Sequence, residues 1–442
     1  MAIHPIEYRY GTQEMKEIWT ENARLRKFLE VEAALAKAEA DIGLIPKKSA
    51  KTISASVNKV KVERVKDIED KIRHDVMAMI LALAEVCGDD GKWVHFGATS
   101  NDITDTGLAL QFRDATALLE EKLKRLRSVL LGQAKKHKST VCAGRTHGQI
   151  GIPTTYGLRF AIWACEVERH LQRLEELKPR ILVGQMSGAV GTGAAFGPSA
   201  REVEKRTMKY LGLGAVDASN QVIQRDRHAE YVLFLANVAT TLDKICIEVR
   251  NLQRSEIAEV EEEFGRGQVG SSTMPHKRNP IKSEQVCGLA RVIRGHVEPA
   301  LLNNTLWDER DLTNSSCERI ILPESTILTD HVLKLTADAL ENLRFNHENI
   351  KRNLAMLKGL NMAEAVMIGL ARKGVGRQDA HEIIRDCAMK ARETGEHMKD
   401  VLCKEPRITK YLAPDEIERL MNPENYLGNA VERVEEIVKR LR

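Results

Sequence analysis

The amino-acid sequence predicts an all-α protein in which several helices are unusually long. Proline breaks helix interiors, and none occurs between Pro46 and Pro153 or between Pro198 and Pro275. Within both intervals apolar residues recur at alternating spacings of three and four, the pattern of one buried stripe on a helix. Alternating runs typical of strands are hard to find, and turn-rich runs that would join many short strands are absent.

Four long helices are predicted in chain order. The first two carry the stripes described above. The other two run from about Ile281 through Val297 and from Ile321 through Leu343. Such stripes cannot all be buried inside one narrow monomer, so some are expected to pack against other copies of the chain. The residues that form the first two stripes are Leu108, Phe112, Ala115, Leu119, Leu123, Leu126 and Leu130, and then Tyr231, Leu235, Val238, Leu242, Ile245, Val249 and Leu252.

The chain beyond about residue 350 has a different pattern. Its amphipathic segments are shorter and are interrupted by Gly359, Gly374, Gly376 and Pro406. This pattern predicts a small helical domain at the C-terminal end. The length of 442 residues favours roughly three domains, at about 150 residues each.

Composition and charge exclude several classes of protein. Apolar residues make up 43% and charged residues 29%, as in folded globular proteins and unlike disordered ones. The net charge of +4 is small and no basic block is present, which argues against nucleic acid or a membrane surface as a partner. The longest apolar runs, such as Met77 to Cys87, fall short of the roughly 20 residues that cross a bilayer.

A cytoplasmic location is expected from the N-terminal segment and the cysteines. Residues 1–19 carry charges of both signs and lack the basic start and apolar core of a secretory signal. The eight cysteines contain no C-x-x-C pair, so they are interpreted as reduced core thiols and not as a disulfide frame or zinc site. No metal-ligand spacing, P-loop or dinucleotide fingerprint is present, and no cofactor is predicted.

Four glycine-rich segments border or interrupt the helical patterns, and each carries hydroxyl, imidazole or amide side chains. Loops held on a rigid helical frame are where binding and catalysis commonly reside. The segments are WVHFGATSND (93–102), GRTHGQIGIPTT (144–155), GQMSGAVGTGAAFGP (184–198) and GRGQVGSSTMPHKRNP (265–280).

The last segment is the strongest local signal. Three glycines precede Ser271 and Ser272, and two prolines stiffen the chain after them, as suits a lid that closes over a ligand. Backbone N–H groups and Lys277 could hold an anion there. A free hydroxyl is a poor base, so catalysis by serine requires nearby positive charge and directed hydrogen bonds. The alternative interpretation is a solvated loop between helices.

The motifs resemble one family. GSSTMPHKRNP resembles the signature of the fumarase/aspartase superfamily, and the other three glycine-rich segments match its remaining blocks in order. The strings IRHDV (72–76), VHFGATSNDITDT, GRTHGQIGIPTT, QRDRHAEY and WDERDLTNSSCERI are similar to the adenylosuccinate lyase family within it. The similarity extends from EYRYGT near the N-terminus to about residue 345.

The resemblance implies a fold, an assembly and a reaction. The fold is three helical domains, at 1–98, 99–350 and 351–442, with a central long-helix bundle that assembles into a homotetramer. Each active site would take its blocks from three different subunits. The reaction is β-elimination of fumarate from adenylosuccinate to give AMP, and from the succinylocarboxamide ribotide SAICAR to give AICAR, without a cofactor.

The resemblance also implies the proton-transfer groups. Ser271 matches the general base, with Ser272 as its close rival, and His147 matches the general acid. Glu284 matches the carboxylate that orients this imidazole, and such a partner raises the pKa of an imidazole. His74 matches a second histidine that assists at the leaving group or phosphate. Taken alone, His74 would be interpreted as a helix cap or a core residue.

Substrate binding calls for several cations, because adenylosuccinate carries a phosphate and two carboxylates. Arginine binds both groups bidentately, although most of these arginines in isolation would be assigned to surface salt bridges. The plain alternative is helix capping by Ser100 or Asn101 and an exposed helix face for Gln221 and His228. The matching residues are Arg9, Tyr10, Arg73, Asp75, His95, Thr99, Ser100, Gln221, Ser272, Lys277, Asn279, Arg310, Ser315 and Arg319.

Two other functions remain open at this stage. One is a different superfamily lyase, such as argininosuccinate lyase, aspartase, fumarase or carboxymuconate cycloisomerase. The QRDRH and ERDLTNSSCERI blocks argue against it, because they suit a phosphate-bearing substrate better than a small diacid. The other is a non-catalytic helical scaffold, which would tolerate loss of His147, Ser271, Lys277, Asn279 and Glu284, yet all five are present.

Overall fold

A computed structural model describes residues 4–265, 267, 270 and 273–442. The described chain is predominantly helical, which confirms the predicted fold class. Its α-helices are α1 (Pro5–Tyr8), α2 (Gln13–Ile18), α3 (Glu21–Asp41), α4 (Lys47–Ser56), α5 (Val62–Ile72), α6 (Asp75–Cys87), α7 (Ser100–Lys136), α8 (Tyr156–Ile181), α9 (Ala200–Leu211), α10 (Asp226–Leu252), α11 (Ile281–Gly295), α12 (Val297–Leu302), α13 (Thr313–Glu341), α14 (His347–Ala355), α15 (Ala363–Arg372), α16 (Arg377–Thr394), α17 (Met398–Lys404), α18 (Pro406–Thr409), α19 (Pro414–Met421) and α20 (Ala430–Leu441).

The predicted long helices are present, except that the third ends at Gly295 and a separate helix begins at Val297. The stripe between residues 108 and 130 lies on the 37-residue α7, and the stripe between residues 231 and 252 on the 27-residue α10. Every residue of both stripes except Leu108 is at most 2% exposed. Spacing by three and four thus identified the buried faces of these two helices before any tertiary contact was known.

The helix predicted from Ile321 begins earlier, at Thr313, and runs through a proline. Pro323 lies inside α13, where it removes one backbone hydrogen bond at a cost of roughly 3 kcal/mol. Leu322, Ile327 and Leu328 beside it are buried, and each fully buried aliphatic side chain contributes about 1.5–3 kcal/mol. Packing therefore outweighs the local penalty.

Three two-stranded sheets interrupt the helices in the described chain. Strands β1 (Val141–Thr146) and β2 (Gln149–Thr155) pair antiparallel, with a register shift between Ala143 and Arg145. The others pair β3 (Val183–Gly184) with β4 (Gly214–Ala215) in parallel and β5 (Val260–Glu261) with β6 (Arg344–Phe345) antiparallel. These strands were not predicted, because runs of two to seven residues are too short to show alternation.

The chain divides into two compact units. Unit 1 comprises Met1–Lys124, Arg169–Leu242 and Cys287–Lys334, and its core packs apolar side chains of α3 and α6 such as Leu29 and Leu83. Unit 2 comprises Arg125–Glu168, Asp243–Val286 and Leu335–Arg442, with a core from α15 to α19. The divisions fall inside five long helices, so each of these helices supplies residues to both units.

Neither a membrane-spanning helix nor a disulfide is found in the described chain. No single described helix is long and apolar enough to cross a membrane; the pair His347–Ala355 and Leu360–Arg372, bent by 75°, reaches the required length and hydropathy only together. All eight cysteines are described, and each is a free thiol.

Candidate active site

A cavity of about 670 Å³ in unit 1 collects many of the predicted site residues. Its volume lies in the range of roughly 300–1,000 Å³ typical of small-molecule sites. The first turns of α6, α7 and α13 face it, and helix N-termini favour anions because their N–H groups and dipoles are positive. The predicted residues that line the cavity are Arg73, His74, Asp75, Ser100, Arg310, Ser315 and Arg319.

Arg73 and His74 lie where α5 ends and α6 begins. Arg73 adopts a left-handed conformation with φ 57°, which ends α5. Nδ1 of His74 accepts a hydrogen bond from the backbone N–H of Met77 at 3.2 Å, so His74 does cap α6. Capping leaves the proton of the neutral ring on Nε2, and the side chain is 54% exposed. His74 is thus both a cap and an available donor in the cavity wall.

Asp75 positions two arginines in the same wall. Its Oδ2 accepts hydrogen bonds from Arg319 at 2.5 Å and from Arg24 at 3.1 Å. Burial alone would raise the pKa of Asp75, but the charges of Arg319 and Arg24 outweigh burial and lower it. The carboxylate therefore stays charged and holds the guanidinium of Arg319 at the cavity.

Arg310 is held by neutral partners. It donates to Oδ1 of Asn101 at 2.8 Å and to Oε1 of Gln221 at 3.1 Å. These contacts bring Gln221 to the cavity residues although it does not line the cavity itself. Because no carboxylate pairs with Arg310 among the described residues, its positive charge is available to an anionic ligand.

A buried ionic network that was not predicted underlies this wall. Arg225 donates to both oxygens of Asp105 at 2.8 Å, and its Nε lies 3.3 Å from Glu318. His228, interpreted as exposed, is only 6% exposed and lies 3.1 Å from the same carboxylate. Burial opposes ionisation of Asp105 and Glu318, but Arg225 outweighs it and lowers the pKa of both.

A second network ties two glycine-rich segments together. The buried carboxylate of Asp102 accepts hydrogen bonds from the backbone N–H groups of Thr99, Ser187 and Gly188 at 2.9–3.0 Å. The side-chain amide of Gln185 adds a fourth bond at 3.2 Å. Asp102 thereby joins segment 184–198 to the start of α7, where Ser100 and Asn101 line the cavity.

In unit 2, His147 occupies the turn between β1 and β2. His147 and Gly148 have φ 54° and 74°, the positive pair of angles of a tight hairpin turn. Glu259 anchors the hairpin. It is fully buried and accepts hydrogen bonds from Arg145, Tyr156 and Asn353. The imidazole of His147 is exposed, at the tip of a braced hairpin.

Three other predicted residues line a cavity of about 1,000 Å³ in unit 2, namely Lys277, Asn279 and Glu284. The amide of Asn279 donates to the carbonyl of Gly270 at 2.7 Å. Neither His147 nor Glu284 has a side-chain hydrogen bond within the described residues, so the predicted pair between them is not formed there. Ser271 and Ser272 lie outside the described residues.

The remaining predicted residues lie outside both cavities. Arg9 follows α1 and is exposed, and the ring of Tyr10 lies 5.6 Å from that of His331. His95 is hydrogen-bonded to Glu32 at 2.7 Å. In the part of the chain that is described, no three His, Cys, Asp or Glu side chains are arranged to hold a metal ion.

Comparison with known proteins identifies the family. A family model described as lyase matches residues 7–295, and one described as adenylosuccinate lyase C-terminus matches residues 359–437. The chain is 57% identical to an adenylosuccinate lyase of Pyrococcus abyssi, over 99% of this chain and 98% of the relative. The chain belongs to the adenylosuccinate lyase family. The resemblance inferred from the motifs, and with it the prediction of a lyase, is confirmed.

The chain is also similar to a relative from another organism and to two solved structures with other names. An adenylosuccinate lyase of Methanocaldococcus jannaschii is 56% identical over 100% of this chain and 96% of its own. A fumarate lyase from Mesorhizobium sp. BNC1 has a TM-score of 0.90 at 31% identity, covering 97% of this chain and 98% of its own. A 3-carboxy-cis,cis-muconate lactonizing enzyme from Pseudomonas putida has a TM-score of 0.90 at 34% identity, covering 99% of this chain and 98% of its own.

Within this family member, the residues that sequence reasoning missed share one property. All four are buried charged side chains: Asp102, Asp105 and Glu318 lie inside helices, and Arg225 directly precedes α10. Such residues are almost never fully buried unless they are paired, so a charge inside an apolar stripe was the available signal. Their partners are far away in the sequence, which is why the pairing itself was not visible.

Proposed function

We propose that this protein cleaves adenylosuccinate into AMP and fumarate, and SAICAR into AICAR and fumarate. The observation that carries the proposal is identity of 54–57% to several proteins named adenylosuccinate lyase along nearly the whole chain. The two structural relatives named above, which have other names, share only 31% and 34% identity. The match of residues 359–437 to the adenylosuccinate lyase C-terminus supports the same substrate.

The proposed chemistry is β-elimination by proton transfer. Ser271, with Ser272 as its rival, removes the proton from the carbon beside a succinyl carboxylate. The electron pair forms the carbon–carbon double bond of fumarate, and the carbon–nitrogen bond breaks. His147 donates a proton to the departing nitrogen, oriented by Glu284, and His74 assists. The number of protons balances, and no cofactor takes part.

Anion binding completes the proposed site. Arg310 and Arg73 have no carboxylate partner in the described chain, and Arg319 is positioned by Asp75. With Ser100, Ser315 and the N-termini of α6, α7 and α13, they suit the phosphate and carboxylates of the substrate. Arg9, Tyr10, His95, Thr99, Gln221, Lys277 and Asn279 are proposed as further binding residues.

The proposed assembly is a homotetramer with active sites shared between subunits, formed by the central bundle of a three-domain chain divided at 1–98, 99–350 and 351–442. Exposed apolar side chains recur along the long helices, and where such residues form a contiguous patch they mark protein–protein contacts. They include Ile162, Leu233, Ile247, Val292 and Ile320, each 40–62% exposed. His147 and Glu284 are exposed and have no side-chain hydrogen bond among the described residues, so they would find their partners across these contacts.

A cytoplasmic location is proposed as well. Eight free thiols suit a reducing compartment, and several of them are buried in the cores.

The decisive experiment is incubation of the purified protein with adenylosuccinate, without added metal or cofactor, while AMP and fumarate are assayed. Equal molar release of both is the expected result. A folded protein that releases neither would overturn the proposal. Argininosuccinate, aspartate, malate and carboxymuconate would then be tested, and inactivity towards all of them would favour a non-catalytic scaffold.

A further inference from the structure

The cavity of about 1,000 Å³ in unit 2 has lining residues that the proposed mechanism does not use. Arg254 follows the end of α10, Arg344 lies on β6, and His347 begins α14. None of the three belongs to a glycine-rich segment or to a motif that carries the family resemblance. They therefore form a set separate from the proposed reaction residues of the same cavity.

Positive side chains outnumber carboxylates in the lining of this cavity. Among the described residues, five arginine and lysine side chains line it against three glutamates. Two of the glutamates have cationic partners: Glu261 lies 2.7 Å from Arg278, and Glu348 lies 3.8 Å from Lys351, which is not part of the lining. A cleft whose charges are mostly of one sign attracts ligands of the opposite sign. The cavity of unit 2 thus favours an anion.

Arg254 and Arg344 are the arginines of this lining that a ligand can engage. Both are exposed, and neither side chain has a hydrogen bond or an ion pair within the part of the chain that the structure describes. Arg278, by contrast, is engaged by Glu261 and lies 5.5 Å from the ring of Phe264. Because a guanidinium donates two parallel hydrogen bonds to a phosphate, two unengaged arginines suit a phosphate-bearing ligand.

Aromatic rings line the same cavity. Phe345 directly follows Arg344, and the ring of His137 stacks on it at a centroid distance of 3.9 Å and an angle of 27°. The ring of His347 lies 6.4 Å from that of His137 and is nearly parallel to it, at 26°. Burial, and then the charge of Lys136, lower the pKa of His137 to about 4, so this stack is uncharged at pH 7. Since His347 is exposed, a flat base can stack on its ring.

We propose that the cavity of unit 2 binds a nucleoside phosphate other than the substrate, with its phosphates on Arg254 and Arg344 and its base on His347. A phosphate group and a flat base together distinguish a nucleotide from other anions, and the lining offers a partner for each. The phosphate and carboxylates of the substrate are assigned to Arg310 and the other arginines of unit 1, so the two of unit 2 are left for a second ligand. The inference goes beyond the proposed function and does not depend on it.

The test measures the dissociation constant of ATP by calorimetry at pH 7.5 in EDTA, with saturating AMP and fumarate in the substrate site. Wild type is compared with the double variant Arg254→Gln/Arg344→Gln. The dissociation constant of the double variant should rise at least about tenfold, because charge-assisted hydrogen bonds to phosphate are lost. The matched control is Arg377→Gln/Arg433→Gln, which removes the same charge from two exposed arginines of unit 2 outside the cavity and should bind ATP as wild type does.

Inorganic tripolyphosphate and the variant His347→Ala separate the base from the phosphates. Wild type should bind ATP more tightly than tripolyphosphate. His347→Ala should weaken the binding of ATP about fivefold or more and leave that of tripolyphosphate unchanged, because only ATP has a base to stack. Equal affinities of wild type for ATP and tripolyphosphate would overturn the assignment of a nucleotide.

Three further outcomes would overturn the inference: no binding of ATP by wild type, binding that disappears when AMP and fumarate are added, or an equal loss in the double variant and its control. Both arginines are exposed and unpaired in the described chain, so an unchanged melting temperature is expected of the double variant. If it does not fold, the two single variants replace it, and wild-type affinity in both would contradict the site.

Turnover separates this inference from the proposed function. Wild type that does not cleave adenylosuccinate would overturn the proposed function, and the binding of ATP would still decide the inference. The double variant should cleave adenylosuccinate at the wild-type rate. A loss of turnover that parallels the loss of ATP binding would place both arginines in the substrate site and overturn only the inference.

Discussion

At the scale of single residues, the proposed chemistry depends on groups that have no charged partner among the described residues. Arg310 is held by two neutral amides, and His147 is exposed at a hairpin tip. By contrast, Arg225 forms ion pairs with both Asp105 and Glu318, so it supports the cavity wall. An arginine whose partners are neutral is therefore available to a ligand, whereas one paired with carboxylates is structural. The two kinds cannot be told apart in the sequence.

Removal of either proton-transfer group should abolish turnover without dissociating the assembly. For Ser271→Ala and for His147→Ala we expect kcat to fall by about 10²–10⁴, because general acid–base catalysis contributes that much. The variants are to be assayed for kcat and for molecular mass by light scattering. Near-normal kcat in either one would contradict its assignment.

Glu39→Gln should stabilise the protein in a pH-dependent way. Burial, and then repulsion by Glu32, raise the folded-state pKa of Glu39 from the ordinary value of 4.5 to about 9, so the stability linked to Glu39 is fully present below 4.5 and is lost as the pH rises through 9. The free energy of unfolding of the variant should exceed that of wild type by more than about 1 kcal/mol at pH 8 and should equal it near pH 4.5. Thermal melting of both proteins at the two pH values, at fixed protein concentration, measures this difference.

The matched control for that prediction is Glu230→Gln, which removes an exposed ion pair with Arg180. Exposed pairs contribute about 0–1 kcal/mol, so this variant should show no pH-dependent gain. A melting temperature of Glu39→Gln that follows wild type at both pH values would show that Glu39 is not held neutral.

At the scale of elements, the β1–β2 hairpin shows how short strands serve a helical fold. It presents His147 at a turn whose two residues both need positive φ, and Glu259 braces it. The THG sequence at 146–148 was recognised as a motif and not as a turn. The reason is that His-Gly is a rarer turn pair than Asn-Gly or Asp-Gly.

Gly148→Ala should misplace His147 and lower kcat. A Cβ at this position meets nothing within 4 Å, so the whole effect comes from the left-handed backbone, which costs about 1–2 kcal/mol for an L residue. Gly151→Ala is the matched control, since its nearest neighbour would be an ordinary 3.7 Å away and its φ is not positive. Equal kcat values for the two variants would argue against a precise turn geometry.

At the scale of the whole molecule, the predicted site residues fall into two sets. His74, Arg310 and Arg319 line the cavity of unit 1, whereas Lys277 and Glu284 line the cavity of unit 2. Sequence motifs give no distances, so this grouping was not predictable. Sites assembled from several subunits would unite the two sets.

A mixture of two inactive variants should therefore regain activity. Ser271→Ala and His147→Ala affect different blocks, so some sites in mixed tetramers would contain only intact segments. The expected result is partial recovery of turnover after mild dissociation and reassembly. Persistent inactivity after subunit exchange has been demonstrated by mass spectrometry would count against shared sites.

The sequence by itself determined the helical class, the buried faces of α7 and α10, and the family. Periodic burial and contiguous motifs are local along the chain, so they can be read without knowing any partner. The stripe of Tyr231, Leu235 and Val238 needed no tertiary information to be assigned to a core.

Only the tertiary structure decided which charges meet. The bonds of Asp102 to segment 184–198, of Arg225 to Asp105, and of His95 to Glu32 join residues 63–120 positions apart. Pro323 continues a helix because packing outweighs its local cost. Pairing and packing depend on distances in space, and the order of residues along a chain does not contain those distances until the chain has folded.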